Sequence, residues 1–232
     1  MEHTVRAYDE ELDSMTGELA RMGGLAEAEV ADAIRAIARR DVALAEAVIN
    51  RDARLDALEL DIERKAIRLI ALRQPVADDL RRTVAAMKIA GNLERCGDLA
   101  KNIAKRAVVI AAADPLTPLT SSIERMGTLV THRLKDALDA LASREIDRAV
   151  SVWRRDHEVD ERYDAIFREL LTYMMADPRT ITACAHLLFV AKNLERIGDH
   201  ATNIAEILHY EITGVELTDE RPKSDALQRH DS

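Results

Sequence analysis

The sequence predicts an all-α protein made of two tandem three-helix bundles that are related by an internal repeat. Hydrophobic residues make up 47% of the 232 residues but aromatic residues only 3%. The core must therefore consist of Ala, Leu, Ile, Val and Met, a set in which Ala and the unbranched side chains favour helix. Apolar residues recur three or four positions apart, and no stretch alternates as a strand would. A thirteen-residue motif also occurs twice, 101 positions apart.

Proline positions and apolar stripes divide the chain into six predicted helices. Five prolines separate long runs in which the apolar residues keep helical spacing. The predicted helices cover about 5–39, 42–72, 76–111, 119–142, 144–175 and 179–212. Pro75 and Pro178 stand at the start of the third and sixth helices, where a first helical turn tolerates proline.

The strongest linker signal is the stretch AADPLTPLTSS at 112–122. It divides the chain into two halves with three predicted helices each. We therefore expect a first bundle over residues 1–113, a second bundle over residues 114–214, and a polar tail over residues 215–232. Similar segments also precede the motif in each half, RDARLDALELDI at 51–62 and RDHEVDERYDAI at 155–166. The repeat thus extends beyond the motif. These two segments are 104 positions apart, whereas the motif copies are 101 apart, and small insertions account for the difference.

The repeated motif reads NLERCGDLAKNIA at 92–104 and NLERIGDHATNIA at 193–205. Residues at positions i, i+4 and i+8 lie along one side of a helix. Each copy therefore carries a ladder of two acids and one amide: Glu94, Asp98 and Asn102, then Glu195, Asp199 and Asn203. At about 100° per position, the first ladder faces away from the apolar stripe through Cys96 and Ala100. We expect the ladders on the outer faces of the bundles.

The preceding helix of each half carries acids at the same spacing: Asp52 and Asp56 in the first half, and Asp156 and Asp160 in the second. If the two helices pack side by side, their acids converge along a seam. Oxygen ligands of this kind suit hard cations such as magnesium, manganese or iron. The alternative is a solvated acidic face that nearby Lys and Arg side chains neutralise, and both interpretations remain open.

Composition and motifs exclude several function classes. The net charge is −9, which argues against nucleic acid or an anionic membrane as a direct partner. The two cysteines form no metal-binding or redox pair, and we find neither a signal peptide nor an apolar run of the ~20 residues that a membrane span needs. A di-iron oxidase needs two E-x-x-H motifs, and the chain has only Glu206 to His209. The sequence predicts a cytoplasmic protein that is not an enzyme.

The repeated LERxGDxxxNIA pattern follows RQPVADDLR at 73–81 and YMMADPRTI at 173–181. Together these segments closely resemble the PhoU family of bacterial phosphate-uptake regulators, from about residue 5 to 214. The resemblance implies two three-helix bundles, often paired as a homodimer. It also implies multinuclear iron or zinc sites on the outer surface of each bundle. Carried onto this chain, their ligands are Asp52, Asp56, Glu94, Asp98 and Asn102, then Asp156, Asp160, Glu195, Asp199 and Asn203.

The resemblance also implies a role in regulation. Family members are thought to link the phosphate ABC transporter, through its PstB-like ATPase subunit, to a PhoR-like sensor histidine kinase. They thereby restrain phosphate uptake and the phosphate-starvation response, and they approach the membrane only through these partners. A stand-alone metal-binding or metal-storage bundle, suggested by the ladders alone, is the alternative. One departure is Phe167, which stands in the second half where the first has Glu63; the second cluster is expected to be smaller.

Overall fold

A computed structural model describes residues 2–112 and 117–217, and every regular element in these two ranges is helical. In chain order, the α-helices are α1 (Glu2–Arg39), α2 (Val42–Arg51), α3 (Ala53–Arg73), α4 (Ala77–Ala111), α5 (Thr117–Ser143), α6 (Ile146–Arg154), α7 (His157–Ala176) and α8 (Ile181–Thr213). A short 3₁₀ turn, Pro178–Thr180, leads into α8. The predicted all-α fold is confirmed. From residue 218 onward, the predicted tail lies outside the described residues.

The middle helix of each half is interrupted, whereas the sequence predicted continuous helices over 42–72 and 144–175. The first break falls at Asp52, between α2 and α3, and the second at Arg155 and Asp156, between α6 and α7. Aspartate is a poor residue for a helix interior, although neither Asp52 nor Asp156 caps the helix that follows it with its side chain. Both aspartates are buried and hydrogen-bonded to side chains of a distant helix, Lys101 and Thr202 respectively. These long-range contacts explain why local spacing did not reveal the breaks.

The helices pack as two similar groups. Helices α1, α2 and α3 contact α4, and helices α5, α6 and α7 contact α8 in the corresponding way. The two groups meet through α4 against α8 and α1 against α5. Buried apolar residues of both groups form one connected core. If α2 with α3 and α6 with α7 are each counted as one interrupted helix, the described residues form six helices. These are arranged as two repeats that share one core.

Helices α4 and α8 run antiparallel, as three side-chain contacts along their length show. Arg81 near the start of α4 reaches Glu211 near the end of α8. Asn92 contacts His200, and Arg106 near the end of α4 contacts His186 near the start of α8. Helices α1 and α5 also run antiparallel, because Gly23 of α1 packs on Leu138 late in α5, whereas Ile34, later in α1, packs on Gly127 earlier in α5. The two repeats are therefore related by an approximate two-fold axis, which crosses α4 and α8 within the repeated motif.

Glycines inside the two motif copies allow close helix contact. A Cβ added to Gly97 would lie 2.4 Å from Leu55 Cδ1, and one added to Gly198 would lie 3.2 Å from Val159 Cγ1. Each glycine thus brings the motif helix against the second segment of the interrupted helix. This packing fixes the distance across each acidic seam. Within the described ranges, no helix has the length and apolar character that crossing a bilayer requires.

Candidate functional site

The first acidic seam lies between α4 and the break that precedes α3. Asp52 is buried at this break, and Lys101 of α4 donates a hydrogen bond to its Oδ2 atom. Asp98 lies 3.4 Å from Arg95 and 3.8 Å from Lys101. Glu94 lies 3.4 Å from Arg95, and its side chain is only 15% exposed. The α4 acids are therefore partly neutralised by basic residues of their own helix.

Burial and neighbouring acids change the proton affinity of Glu94. Its pKa is raised to about 7, chiefly because burial disfavours the charged form. Arg95 opposes this shift, whereas Asp98, Glu59 and Asp56 add to it. The predicted residues Asp56 and Asp98 thus lie within electrostatic range of Glu94, although Asp56 is exposed. Asn102, one turn beyond Asp98, is exposed on the outer face, as the helical geometry predicted.

Glu29 of α1 also belongs to this seam, which sequence reasoning missed. Its side chain is 2% exposed, and its pKa is raised to about 7 by burial first and then by Asp52. The Oε2 atom of Glu29 and the Oδ1 atom of Asp52 are both buried without a hydrogen-bond partner. Both atoms approach the same glycine, since a Cβ on Gly97 would lie 3.5 Å from the first and 3.6 Å from the second.

The second acidic seam has the same layout with different partners. Asp156 is buried at the break before α7, and Thr202 Oγ1 of α8 donates to its Oδ1 atom at 2.6 Å. The pKa of Asp160 is raised by burial and then by Asp156, Glu195 and Asp164. Lys192 Nζ lies 2.8 Å from Glu195. Asp156, Asp160 and Glu195 therefore converge, as the repeat predicted.

The last two predicted ligands of the second half lie along α8. Asp199 is partly buried and contributes to the electrostatic environment of Lys192. Asn203 reaches across to α4 and donates to Asn92 Oδ1 at 3.3 Å. The structure thus places Asp199 with the second seam, but directs Asn203 toward the interface between the two repeats. The direction of the Asn203 side chain depends on how α4 and α8 cross. The spacing of residues along a single helix does not reveal this crossing.

Arg133 of α5 is the second residue that sequence reasoning missed. It is 3% exposed, lies within electrostatic range of Asp156, and donates to Glu158 Oε2 at 3.0 Å. A signal was available, because the tripeptide RMG occurs at 21–23 in α1 and at 125–127 in α5. Aligning the two helices on it places Arg133 at the position of Glu29.

The donor set of the first seam fits a hard cation. Its buried oxygens come from carboxylates, which magnesium, manganese and iron accept, and two of these atoms lack any partner within the protein. A bound cation would supply positive charge to a site where burial penalises carboxylates. As placed, however, no three His, Cys, Asp or Glu side chains within 2–112 and 117–217 are close enough to hold a metal ion. Binding therefore requires a change of side-chain conformation at the exposed edge of the seam.

The fold and the doubled motif define a class: two-repeat helical proteins with an acidic seam in each repeat. The PhoU domain model matches residues 19–107 and 123–208, one match in each half. The phosphate-specific transport system accessory protein PhoU homolog of Caulobacter vibrioides is 67% identical over 228 residues, which cover 98% of this chain and 99% of that protein. The Escherichia coli protein PhoU is 39% identical over 212 residues, which cover 91% and 88%.

Two solved structures also match the fold of this chain. The crystal structure of PhoU from Pseudomonas aeruginosa matches with a TM-score of 0.87 and 38% identity, covering 90% of this chain and 100% of that chain. That of the phosphate transport system regulatory protein PhoU from Streptococcus pneumoniae matches with a TM-score of 0.84 and 31% identity, covering 92% and 100%. The chain belongs to the PhoU family, as the motif predicted.

Proposed function

We propose that this protein is a cytoplasmic negative regulator of phosphate uptake and of the phosphate-starvation response. The observation that carries the proposal is the relationship to the Caulobacter vibrioides accessory protein, at 67% identity over nearly the full length of both chains. An accessory protein acts through contacts with the transport system. We propose that this chain is an adaptor between the ATPase subunit of the phosphate ABC transporter and the sensor histidine kinase.

The adaptor proposal is tested by co-purification. The chain is tagged at its own locus, and cells are grown in high phosphate and cross-linked before purification. Mass spectrometry should then find the transporter ATPase and the kinase enriched over cells that carry the same tag on an unrelated acidic helical protein. Recovery of neither partner, from cells that express both, would contradict the adaptor role.

Metal binding at the acidic seams is a separate proposal. The partnerless buried oxygens of Glu29 and Asp52 support it, together with the convergence of Asp156, Asp160 and Glu195. Iron, zinc, manganese or magnesium at the ten predicted ligand positions would offset the repulsion between neighbouring carboxylates. Elemental analysis of untagged protein measures the metal content. A stand-alone metal-storage function requires bound metal and predicts that no transport components co-purify. Elemental analysis and co-purification together therefore distinguish a metal-storage protein from a regulator.

We also propose that the protein forms a homodimer. Large apolar side chains are exposed at the turn between α3 and α4, with Val76 at 74%, and in the last turn of α7, with Met175 at 85%. Exposed apolar side chains of this size are a common feature of association surfaces. Sedimentation at tens of micromolar should show a species of about twice the chain mass of 25.9 kDa. A species of 25.9 kDa under these conditions would contradict the proposal.

A further inference from the structure

Both phenylalanines of the chain are exposed on the second repeat. The sequence contains only two, and Phe167 of α7 is 37% exposed and Phe189 of α8 is 56% exposed. Phenylalanine is among the residue types that folding most often buries. At offsets of 104 and 101, the corresponding residues of the first repeat are Glu63 and Lys88. The exposed rings are therefore a property of the second repeat, and the fold that the two repeats share does not require them.

Basic side chains lie over the aromatic rings of this surface. The Nζ atom of Lys192 lies 5.2 Å from the ring centroid of Tyr163, which is 6.4 Å from that of Phe167. The Cζ atom of Arg106, from α4, lies 4.8 Å from the ring centroid of Phe189. Because Phe189 and Lys192 are three positions apart on α8, the two groups adjoin. We call these five residues the aromatic face. Aromatic and arginine side chains contribute most of the binding energy at many protein interfaces.

Arg106 is the basic residue of the aromatic face that remains available to a partner. Lys192 is neutralised by Glu195, since its Nζ atom lies 2.8 Å from that carboxylate. Arg106 donates to His186 Nδ1 at 3.2 Å and stacks on Phe189, and it forms no ion pair with an acid among the described residues. An imidazole and an aromatic ring thus hold the guanidinium in place. Its remaining N–H groups can bind a carboxylate from outside the chain.

The helical segments that carry Arg106 and Phe189 contain no acid. Residues 99–112, which include the end of α4, and residues 178–194, which include the start of α8, contain five Lys or Arg and no Asp or Glu. The net charge of the whole chain is −9. Because α4 and α8 run antiparallel, these two segments lie side by side. They contribute only positive charge around Arg106, which favours an acidic partner.

We propose that the aromatic face is a docking surface for an acidic amphipathic helix of a protein partner. A carboxylate of that helix pairs with Arg106, and apolar side chains one turn away pack on Phe189 and Phe167. The described elements are all helical and offer no sheet edge to an extended peptide. A helix, in contrast, presents acidic and apolar side chains one turn apart. The inference rests on the adaptor function proposed above, and it names the surface through which one of the two partners is bound.

The test is surface plasmon resonance, with the full chain passed over the immobilised transporter ATPase and, separately, over the immobilised kinase. Phe189→Ala removes the exposed ring. Tyr210→Ala is its matched control, because Tyr210 is a 41% exposed aromatic residue near the other end of the same helix. Arg106→Gln removes the positive charge, and Lys88→Gln, at an exposed position nearer the start of α4, is its control. Circular dichroism melting verifies that each variant is folded.

The aromatic face predicts a selective loss of binding. We expect Phe189→Ala and Arg106→Gln each to weaken binding to one partner about tenfold or more, while both control variants bind as the unaltered protein does. Added salt should weaken the binding of the unaltered protein, and it should weaken that of Arg106→Gln less.

Three results would overturn the inference and leave the adaptor function intact. The first is unchanged binding of both partners by folded Phe189→Ala and Arg106→Gln. The second is equal weakening by the control variants, because the contact would then not be confined to the aromatic face. The third is binding to phosphatidylglycerol vesicles that Phe189→Ala abolishes without affecting either protein partner, which would show that the face meets a membrane surface. Absence of binding to either partner by the unaltered protein would contradict the adaptor function itself, and this inference with it.

Discussion

Asn92 of α4 and His200 of α8 join the two copies of the repeated motif. The Oδ1 atom of Asn92 lies 2.9 Å from His200 Nδ1, and it also accepts from Asn203 at 3.3 Å. The acceptor is an amide oxygen, so the neutral imidazole carries its proton on Nδ1. Burial first, and then the positive charges of Arg196 and Arg95, lower the pKa of His200 from 6.5 to about 4. His200 is therefore uncharged at neutral pH.

Acid should weaken the interface between the repeats through His200. Its folded-state pKa of about 4 lies below the unperturbed value of 6.5, so the unfolded chain binds the proton more readily. This histidine therefore contributes full stability above pH 6.5, and the contribution is lost as the pH falls toward 4. In His200→Asn, the amide nitrogen replaces Nδ1 as the donor without titrating. Urea denaturation across this range should show the unaltered protein losing about 1–2 kcal/mol relative to the variant. Parallel pH profiles would contradict the prediction.

Close packing at Gly97 should make alanine destabilising there. The added methyl group would lie 2.4 Å from Leu55 Cδ1, and Leu55 is fully buried. We expect Gly97→Ala to lower the free energy of unfolding by about 1–3 kcal/mol. Gly24 is the matched control, because it is helical and exposed, and no atom lies within 4 Å of its added Cβ. Gly24→Ala should raise the free energy of unfolding by about 0.5–1 kcal/mol. Equal effects of the two substitutions in urea denaturation would refute the packing argument.

Glu29 should destabilise the chelator-treated protein at high pH. Its pKa is raised from 4.5 to about 7 in the folded state, so the folded protein holds this proton more tightly than the unfolded chain. Stability from this group is therefore greatest below pH 4.5 and is lost as the pH rises through 7. Glu29→Gln should be more stable than the unaltered protein at pH 8, by about 1–3 kcal/mol, with the difference disappearing near pH 4.5. The exposed Glu124→Gln serves as the control. A pH-independent difference for Glu29→Gln, measured by denaturation with chelator, would count against the prediction.

The sequence predicts those features of the fold that depend on residue spacing within a single helix. Cys96 and Ala100 were expected on a buried stripe, and both are fully buried. Each motif copy also contains a glycine at a close helix contact, which Leu55 and Val159 make. Such features follow from helical periodicity and from the absence of a side chain, both of which are readable locally.

Features that depend on distant residues were not predicted. The break at Asp52 coincides with a hydrogen bond from Lys101, 49 positions away. The involvement of Glu29 depends on how α1 packs against the break, and that of Arg133 on the corresponding contact of α5. Ligand candidates within one helix could therefore be named from spacing, whereas the charge balance of each seam required the packed structure.

The most direct test of the proposed function is the phosphate-starvation response of a strain that lacks the gene. A reporter of starvation genes is measured in high phosphate in the parent strain, in the deletion strain, and in the deletion strain that expresses this chain. A negative regulator predicts a reporter that stays on after deletion and is shut off again by the restored chain. A reporter that shuts off normally in the deletion strain, with no second copy of the family in the genome, would contradict the account.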